Sequence, residues 1–567
     1  MVKLFNNNIQ NRFINLIYFF GILIIVVFFS RLIIEANLDL SSGRFQLDMD
    51  ERISFDGVKK ILHPFNLQDF IHQFFDGDYQ FYGRIFWNSA ALFSYLPEKL
   101  YMNTGQIITT RLIQYIFILS SYFIITFGII RNWNLRIILL LIFLSIPYSP
   151  YFFTSPKPEP LQLLFISIFL YYFKKNNAKF SNYWIFLGLA LGVKISTLPL
   201  IPFYFFISYF KTHERINLIN ISSCLYKISF PFLIGLSISI PLLAVPTVFI
   251  ILGIISIKYI VLKLNWSKYK LIFFIVGYSF FTIIYCFESV YKWILYTLLN
   301  TKHGADSSDI NLIKWIKFFS IEWLAGPIYL NAILILICFV FLIYIFFKFK
   351  PNSKSPFYIS FSILISGLIL NFCIFLFTKR LWGIYLYIGT IIFFIGLILL
   401  VDEKNQKRKF NKLRIFENSI QYFVILILSI QIVTVWIPKT IKDLYTLANR
   451  TKSTEYKNNL LSYNIMNNYL TKIADKKQQS LNISIDPRLF QHTNSKYIKF
   501  KEYFGEVPWS DSNDIIILIT KNIKPEDYKK HICSNTNLAG FNSQCFQKIS
   551  KLPNGSEILL KVNNIKN

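Results

Sequence analysis

Long, nearly uncharged apolar runs are the feature that most constrains the fold of this chain. Runs of roughly 18 or more apolar residues mark membrane-spanning helices. Runs near or above that length occur at 13–34, 328–347, 357–377, 384–401 and 422–437. The 567 residues are 54% hydrophobic and 18% aromatic, which is more apolar surface than the cores of a soluble protein can bury. We predict an all-α polytopic membrane protein.

The apolar pattern predicts about thirteen spans or part-spans of roughly 15–25 residues each. Their approximate limits are 13–34, 106–130, 135–153, 159–174, 182–195, 197–210, 227–244, 246–263, 271–290, 328–347, 356–378, 382–401 and 417–437. The two short segments that flank Lys194 and the proline-interrupted stretch 231–262 are the least regular of these. The first run is too long for a signal-peptide core and has no small-residue cleavage site after it, so we interpret it as an uncleaved anchor.

Short basic loops predict the orientation, because loops rich in Lys and Arg stay on the cytoplasmic side. With the N-terminus inside, the loops assigned to the cytoplasm are 131–136, 174–179, 211–215, 348–355 and 402–414. This assignment requires that 135–153 and 159–174 form a hairpin, or that one of them is a part-span. It reverses for every later loop if 182–210 is a single helix.

Three segments then face the exterior: a first loop at 35–105, a loop at 291–327, and the tail from about 439. The tail contains the apolar run "DIIILIT" (514–520) followed by the helix-like "KPEDYKKHI" (524–532). It therefore predicts a small soluble α/β domain. The domain boundaries that we expect are 1–438 for the transmembrane domain and 439–567 for the extracytoplasmic domain.

The cysteines show no metal-binding spacing. Cys533 and Cys545 lie in the predicted external tail, where the compartment is oxidising, so a disulfide between them is an expectation. The remaining cysteines lie in or beside spans and are interpreted as packing residues; they are Cys224, Cys286, Cys338 and Cys373. The formal net charge is +29. Since no solvated basic domain carries a nucleic-acid motif, we expect membrane lipid as the partner of this charge and no nucleic acid.

Carboxylates cluster directly after the first apolar run, in "RFQLDMDERISFDG" (44–57). In the predicted orientation, Asp48, Asp50 and Glu51 face the exterior at the membrane edge. The segments "ISFDGVKKIL" (53–62) and "LQDFIHQFF" (67–75) that follow are amphipathic. They predict two helices lying on the membrane surface, and a plain loop with an acidic helix start is the alternative. The next stretch, 76–97, is a third interfacial helix, a re-entrant segment or a hydrophobic cap.

Charged residues at the predicted outer ends of the spans form a second group. These are Arg111, Lys157, Glu159, Lys194, Lys302, His303, Asp306, Asp309, Lys379 and Arg380. Singly, each is explained by snorkelling or by a charge at a helix end. Together they indicate a phosphate held at headgroup depth, where a low dielectric strengthens each contact.

A carboxylate and a cation cluster on the outer face suit sugar transfer from a polyprenyl-phosphate carrier. ATP and nucleotide sugars are usually absent from that side, whereas a lipid carrier brings its activated sugar across the membrane. Cations stabilise the charge that develops on the leaving phosphate. A carboxylate removes the proton from the acceptor hydroxyl as it attacks. A single displacement of this kind inverts the anomeric carbon.

Six motifs, taken in order, resemble the GT-C superfamily of membrane glycosyltransferases. The resemblance is to the group of protein O-mannosyltransferases and lipid A aminoarabinose transferases, and it runs over most of 10–440. The motifs are Asp50-Glu51, "YGRIFW" (82–87), "TTRLIQYIFIL" (109–119), "PKPEPLQLLFISIFLYY" (156–172), "GLALGVKISTLPLIP" (188–202) and "KRLWGIYLYIG" (379–389). The usual prolines are missing beside the second motif. In the last motif the tyrosine is displaced to Tyr385.

The resemblance implies a GT-C-like fold with a catalytic aspartate in the first external loop. That residue is Asp50, with Asp48 as the rival base and Glu51 orienting the acceptor or binding a metal. The implied phosphate ligands are Lys157, Lys194 and Arg380, with Arg111 behind them. Further candidates for the donor or acceptor cleft are Tyr82, Glu159, His303 and Tyr385. Some relatives use a divalent cation, so the use of Mg²⁺ or Mn²⁺ is left open.

The predicted function is therefore an inverting glycosyltransferase with a polyprenyl-phosphate-linked sugar donor. The acceptor is a lipid, a glycan or a protein, and the expected location is a bacterial inner membrane, with the active site and the C-terminal domain facing the periplasm or exterior. A transporter or flippase of a lipid-linked or anionic substrate is the main alternative, because broken helices around Lys194 and 231–246 also suit transport. An anchoring protein whose external domain binds a partner is the third.

Overall fold

The computed structural model is mainly helical, with one small sheet. It describes residues 49–64, 66–75, 83–146, 152, 156–213, 218–263, 268–302, 356–378, 383–406, single positions between 426 and 449, 452–478, 481–485, 497–502, 507, 509, 514–519, 526, 531–532 and 546–561. The chain forms two compact units. The larger contains Gly57–Leu96 and Thr109–Ile441, and the smaller contains Phe29–Asp56, Pro97–Ile108 and Lys442–Asn567.

In chain order the helices of this part of the chain are α1 Met49–Leu62, α2 Leu67–Phe75, α3 Ile85–Phe123, α4 Trp133–Ser145, α5 Glu159–Lys175, α6 Trp184–Val193, α7 Leu200–Thr212, α8 Leu218–Ser239, α9 Ala244–Lys263, α10 Lys268–Lys302, α11 Pro356–Thr378 and α12 Gly383–Gln406. From α3 onward, each coincides at least in part with a predicted span. The predicted spans 13–34 and 328–347 lie outside the described residues, and so does most of 417–437. The total of thirteen spans stays a prediction.

The two amphipathic segments of the first loop are helices, as predicted, and not a plain loop. The first begins earlier than expected, at Met49, so that Asp50 and Glu51 belong to the first turn of α1. Acidic residues suit that position because the helix N-terminus carries partial positive charge. The placement of α1 and α2 on the membrane surface stays a prediction.

Helix α3 begins inside the predicted first loop. It contains 39 residues and continues through Pro97, so that residues 85–97 are its first turns and not a separate interfacial segment. At 1.5 Å per residue it is about 58 Å long, nearly twice the ~30 Å of a hydrocarbon core. The stretch long and apolar enough to cross a membrane is Ile108–Ile129, which has 22 residues and a mean hydropathy of 1.9. It joins the C-terminal part of α3 to the π-helical turn Ile124–Ile129 that follows α3.

The segments that flank Lys194 are two helices. The backbone of Lys194 is extended (φ −153°, ψ 129°), and the short 3₁₀ turn Ile195–Thr197 follows it. The ring of Tyr204 in α7 lies 5.0 Å and 4.8 Å from the rings of Phe169 and Phe173 in α5. Helix α7 therefore runs back alongside α5. Residues 182–210 do not form one helix, so the predicted sides of the later loops do not have to be reversed.

Three of the predicted cytoplasmic loops meet at one end of the helix bundle. The carboxylate of Asp402, where the 402–414 loop begins, accepts hydrogen bonds from the backbone N–H groups of Arg131 (2.9 Å) and Asn132 (3.1 Å). The ammonium of Lys174 donates to the carbonyl of Ile129 at 3.0 Å. The basic loops 131–136 and 174–179 therefore lie beside the end of α12, as the orientation argument requires. Which side of the membrane this end faces stays a prediction.

Close helix packing holds the centre of the larger unit. A Cβ atom on Gly188 of α6 would lie 2.1 Å from the carbonyl oxygen of Phe232, and one on Gly235 of α8 would lie 2.1 Å from that of Ile185. The two backbones touch at both places, which is the packing that small residues permit between membrane helices.

The outer surface of α10 is strongly apolar. Phe273, Phe280 and Tyr285 are 82%, 66% and 70% exposed. Soluble proteins rarely leave large contiguous apolar patches in water. The surface of this helix suits contact with lipid acyl chains.

The described part of the C-terminal tail is an α/β unit. Helix α13 (Thr454–Lys477) precedes strands β1 Leu481–Ile485, β2 Ile498–Glu502, β3 Ile515–Ile519, β4 Phe546–Lys551 and β5 Ser556–Lys561. The sheet order is β2-β1-β3-β5-β4, with β1 parallel to both neighbours and β5 antiparallel to both of its own. Alternate residues of β3 point to opposite faces: Ile515 and Ile517 pack in the core that includes α13, and Ile516 packs near Phe546.

The run "DIIILIT" is thus the central strand β3. Most of 524–532, both Cys533 and Cys545, and Cys338 lie outside the described residues. Cys224, Cys286 and Cys373 are free thiols, which agrees with the packing role expected of them.

Candidate functional site

The predicted site residues fall into three groups. The side chains of Arg111, Lys157, Glu159 and Lys194 are described. For Asp50, Glu51 and Tyr385 the structure describes the helix position alone: the first two are in α1 and the third is in α12. Outside the described residues lie Asp48, Tyr82, His303 and Arg380.

Glu159 and Lys194 form a buried ion pair. The Nζ atom of Lys194 lies 2.5 Å from Oε1 of Glu159, and the two side chains are only 11% and 6% exposed. Glu159 stands in the first turn of α5, between Pro158 and Pro160, which suit a helix start. Lys194 stands at the C-terminal end of α6. Each charge complements the partial charge of its helix end, and the antiparallel packing of α5 and α6 brings them together.

Gln162 fastens this end of α5 to the chain reversal after Lys194. It lies one turn beyond Glu159 and is fully buried. Its amide nitrogen donates to Thr197 Oγ1 at 2.6 Å and to Ser196 Oγ at 3.0 Å. The Thr197 hydroxyl donates in turn to the carbonyl of Ala190 in α6, at 3.1 Å. Sequence reasoning missed Gln162; the available signal was one amide at i+3 from Glu159 in an otherwise apolar helix.

Two buried oxygen atoms of this cluster accept no hydrogen bond from the described residues. They are Oε2 of Glu159 and Oε1 of Gln162. A buried acceptor without a donor costs roughly 1–3 kcal/mol, so such atoms call for an explanation in a native fold. Both atoms suit a ligand that brings hydroxyl groups.

Two further cations are buried near the same end. Lys157, two residues before Glu159, is 4% exposed, and Arg111 of α3 is 2% exposed. Gln114, one turn after Arg111, donates to the carbonyl of Phe152 at 3.1 Å, which ties α3 to the segment leading to Lys157. Buried cations are costly unless anionic or polar groups face them. Lys157 is thus a buried cation two residues from the Glu159–Lys194 ion pair.

The corner that begins the "YGRIFW" motif packs against the last turn of α6. The N–H of Gly83 donates to the carbonyl of Val193 at 3.4 Å. A Cβ atom on Gly83 would lie 2.1 Å from the carbonyl oxygen of Gly192, so this backbone contact requires glycine. Arg84 donates to the carbonyl of Gln73 and lies over the ring of Trp87, 5.3 Å from its centroid. Two separated motifs, at 83–84 and 192–194, therefore adjoin.

A tyrosine pair joins α3 to α12. The hydroxyl groups of Tyr122 and Tyr387 are hydrogen-bonded, and the ring of Phe152 lies 4.4 Å from that of Tyr387. Tyr387 stands two residues after the predicted Tyr385 in the same motif. The start of α12 is thus held beside the segment that leads to Lys157.

The described residues contain no group of three or more His, Cys, Asp or Glu side chains that is able to hold a metal ion. Asp50 belongs to the smaller unit and the described cations belong to the larger one. That Asp50 faces these cations stays a prediction.

No family model matches the sequence, and no curated protein matches it. Among solved structures the chain is similar to ArnT from Cupriavidus metallidurans, in a crystal structure of that protein bound to undecaprenyl phosphate. The superposition covers 96% of this chain and 98% of that one, at 9% identity and a TM-score of 0.41. ArnT is a GT-C lipid A aminoarabinose transferase, from the group that the sequence motifs resemble. Since a TM-score of this size carries no weight for function, the assignment of function rests on the side chains at the ends of α5 and α6.

Proposed function

We propose that this protein is an inverting glycosyltransferase that transfers a sugar from a polyprenyl-phosphate carrier to an acceptor hydroxyl at the outer face of a bacterial inner membrane. The observation that carries the proposal is the buried polar end of α5 and α6. The ion pair of Lys194 with Glu159 lies there beside the Gln162 amide, and the buried Lys157 stands two residues before Glu159. The acceptor, whether lipid, glycan or protein, is left open.

Lys157 and Arg111 are the described residues that we assign to the carrier phosphate, with Arg380 as a third. Their burial strengthens each contact with an anion, because little water screens the charges. As the bond between the anomeric carbon and the phosphate oxygen breaks, negative charge grows on the leaving phosphate and these cations stabilise it.

Lys194 has a different role in this proposal from the phosphate contact that the motif alone suggests. Glu159 already neutralises its ammonium. The pair instead orients Oε2 of Glu159, and together with Oε1 of Gln162 this oxygen accepts hydrogen bonds from the hydroxyl groups of the sugar. Lys194 is thus a positioning residue.

Asp50 is the proposed base. Its carboxylate takes the proton of the acceptor hydroxyl, the hydroxyl oxygen bonds to the anomeric carbon, and the lipid phosphate leaves with the bonding electrons from the opposite face. Glu51 orients the acceptor, and Asp48 is the rival base. Tyr82, His303 and Tyr385 line the donor or acceptor cleft.

The test is complementation of a strain from which the gene is deleted. Mass spectrometry of its envelope glycans and lipids identifies the sugar that is lost. We expect the wild-type protein to restore that sugar and Asp50→Asn to restore at least about 10²-fold less, since a general base contributes typically 10²–10⁴-fold. Asp56→Asn is the matched control, because it removes one carboxylate from the same helix α1.

Immunoblots of the membrane fraction establish that both variants accumulate equally. If Asp50→Asn restores the sugar as well as Asp56→Asn does, Asp50 is not the base, and Asp48 or Glu51 takes its place. If the deletion removes no sugar, glycosyl transfer itself is rejected.

A transporter is the second candidate because the helix path also breaks at Pro241–Leu243, between α8 and α9. Proteoliposomes separate the two functions. A transporter moves the lipid-linked sugar across the bilayer without an acceptor, and Asp50→Asn leaves that movement intact.

A further inference from the structure

A cavity of about 470 Å³ lies at the turn between α5 and α6. Its lining residues are Tyr172, Asn176, Ser181, Asn182, Tyr183, Ile185 and Phe186. Helix α5 has 17 residues and is therefore about 26 Å long. Along the helices, Tyr172 lies about 20 Å from Glu159, and Ile185 and Phe186 lie about 12–14 Å from Lys194. The proposed transfer reaction does not use the cavity.

The surroundings of this cavity are positively charged. Lys175 and Lys179 are exposed in the same turn, and the sequence from 160 to 213 contains no Asp or Glu. The Nζ atom of Lys175 lies 5.5 Å and 6.0 Å from the ring centroids of Tyr171 and Tyr172. Tyr172 lines the cavity, so Lys175 is held at its edge.

The wall of the cavity has a polar part and an apolar part. Asn176, Ser181 and Asn182 present amide and hydroxyl groups, which donate hydrogen bonds to phosphate or glycerol oxygens. Tyr172 and Phe186 present parallel rings, 6.2 Å apart with an interplanar angle of 3°. Aromatic rings of this kind are typical of the depth at which a membrane changes from headgroups to acyl chains.

We propose that this cavity binds the headgroup of an anionic phospholipid. Three observations support this proposal: the cavity lies at the helix ends, Lys175 and Lys179 stand in a stretch of sequence without Asp or Glu, and the cavity wall has hydrogen-bond donors on one part and aromatic rings on the other. Basic pockets at the ends of membrane helices bind anionic headgroups, and the cytoplasmic leaflet supplies such lipids. The bound lipid fixes the turn 176–183 at the membrane surface. The proposal does not depend on the glycosyltransferase reaction.

Native mass spectrometry of the full-length protein in mixed micelles tests the proposal. Phosphatidylglycerol and phosphatidylcholine of equal chain length are supplied at equal concentration. We expect the wild-type protein to retain phosphatidylglycerol preferentially. Lys175→Gln combined with Asn182→Ala should weaken that retention about fivefold or more, which corresponds to ~1 kcal/mol for one lysine near an anionic surface. Lys457→Gln, which removes the same charge from an exposed position of α13, is the control and should leave retention unchanged.

Three results would overturn the proposal. They are equal retention of the two lipids by the wild-type protein, equal retention of phosphatidylglycerol by the double variant and by Lys457→Gln, and displacement of the lipid by millimolar inorganic phosphate. The last result would mean that the cavity is a site for a free anion and not for a lipid. The comparison of the two lipids uses the wild-type protein alone, so it decides the matter even if the double variant does not accumulate.

Discussion

At the residue scale, the main finding is that two predicted phosphate or substrate ligands are partners of each other. Glu159 and Lys194 are separated by 35 positions and form one buried ion pair. Hydropathy and motif spacing bring each residue to a helix end, because both signals are local. They do not report a contact between helices, so the sequence predicted the residue types of the site and not this pairing.

Replacing one partner of a buried ion pair should lower stability more than replacing both. Removing one partner leaves an uncompensated buried charge, which costs about 3–5 kcal/mol, whereas replacing both with apolar residues is much less costly. We therefore expect Glu159→Leu and Lys194→Met each to lower the thermal unfolding temperature in detergent more than the double variant does. If the double variant lowers the unfolding temperature by the sum of the two single decreases, the two groups do not interact.

At the element scale, the sequence predicted the existence of the helices better than their ends. Apolar runs identified α4 to α12, but α3 starts about 20 residues before its predicted span. The segment 97–105 contains Pro97 and polar residues, which are typical of a loop. Proline inside a helix forfeits one backbone hydrogen bond, and the sequence gives no sign that the helix continues through it. The reversal at Lys194 was visible as an irregularity, whereas its hydrogen bonds through Gln162 were not.

Replacing glycine by alanine should affect stability differently at Gly188 and at Gly277. A Cβ atom on Gly188 would lie 2.1 Å from a backbone oxygen of α8, whereas one on Gly277 of α10 would meet no atom within 4 Å. We expect Gly188→Ala to push α6 away from α8 and to lower stability by about 1–3 kcal/mol. Gly277→Ala should be neutral or stabilising by about 0.5–1 kcal/mol, because alanine favours the helix. Thermal unfolding in detergent measures both, and equal effects would mean that α6 and α8 are not in backbone contact at Gly188.

At the scale of the whole molecule, the polar groups segregate to opposite ends of one helix bundle. Glu159, Lys194 and Lys157 lie at one end, and Asp402 joins the basic turns at the other. Charge counting predicted this grouping of loops without any structure, because Lys and Arg are excluded from the translocated side during insertion. The relation between Asp50 and the cations could not be predicted in this way, since Asp50 and these cations belong to different units of the chain.

The proposed reaction requires that the end of the helix bundle at Glu159 faces the outside of the membrane. Lysine-rich turns face the cytoplasm, so Lys179→Cys should react with a membrane-impermeant maleimide only after the cells are permeabilised. Lys457→Cys, at an exposed position of α13 in the C-terminal unit, should react in intact cells, and labelling above that of the wild-type protein is the quantity to measure. If the two positions exchange their behaviour, Glu159 and Lys194 face the cytoplasm. Nucleotide sugars are then available to the site, and the reason for a lipid-linked donor disappears.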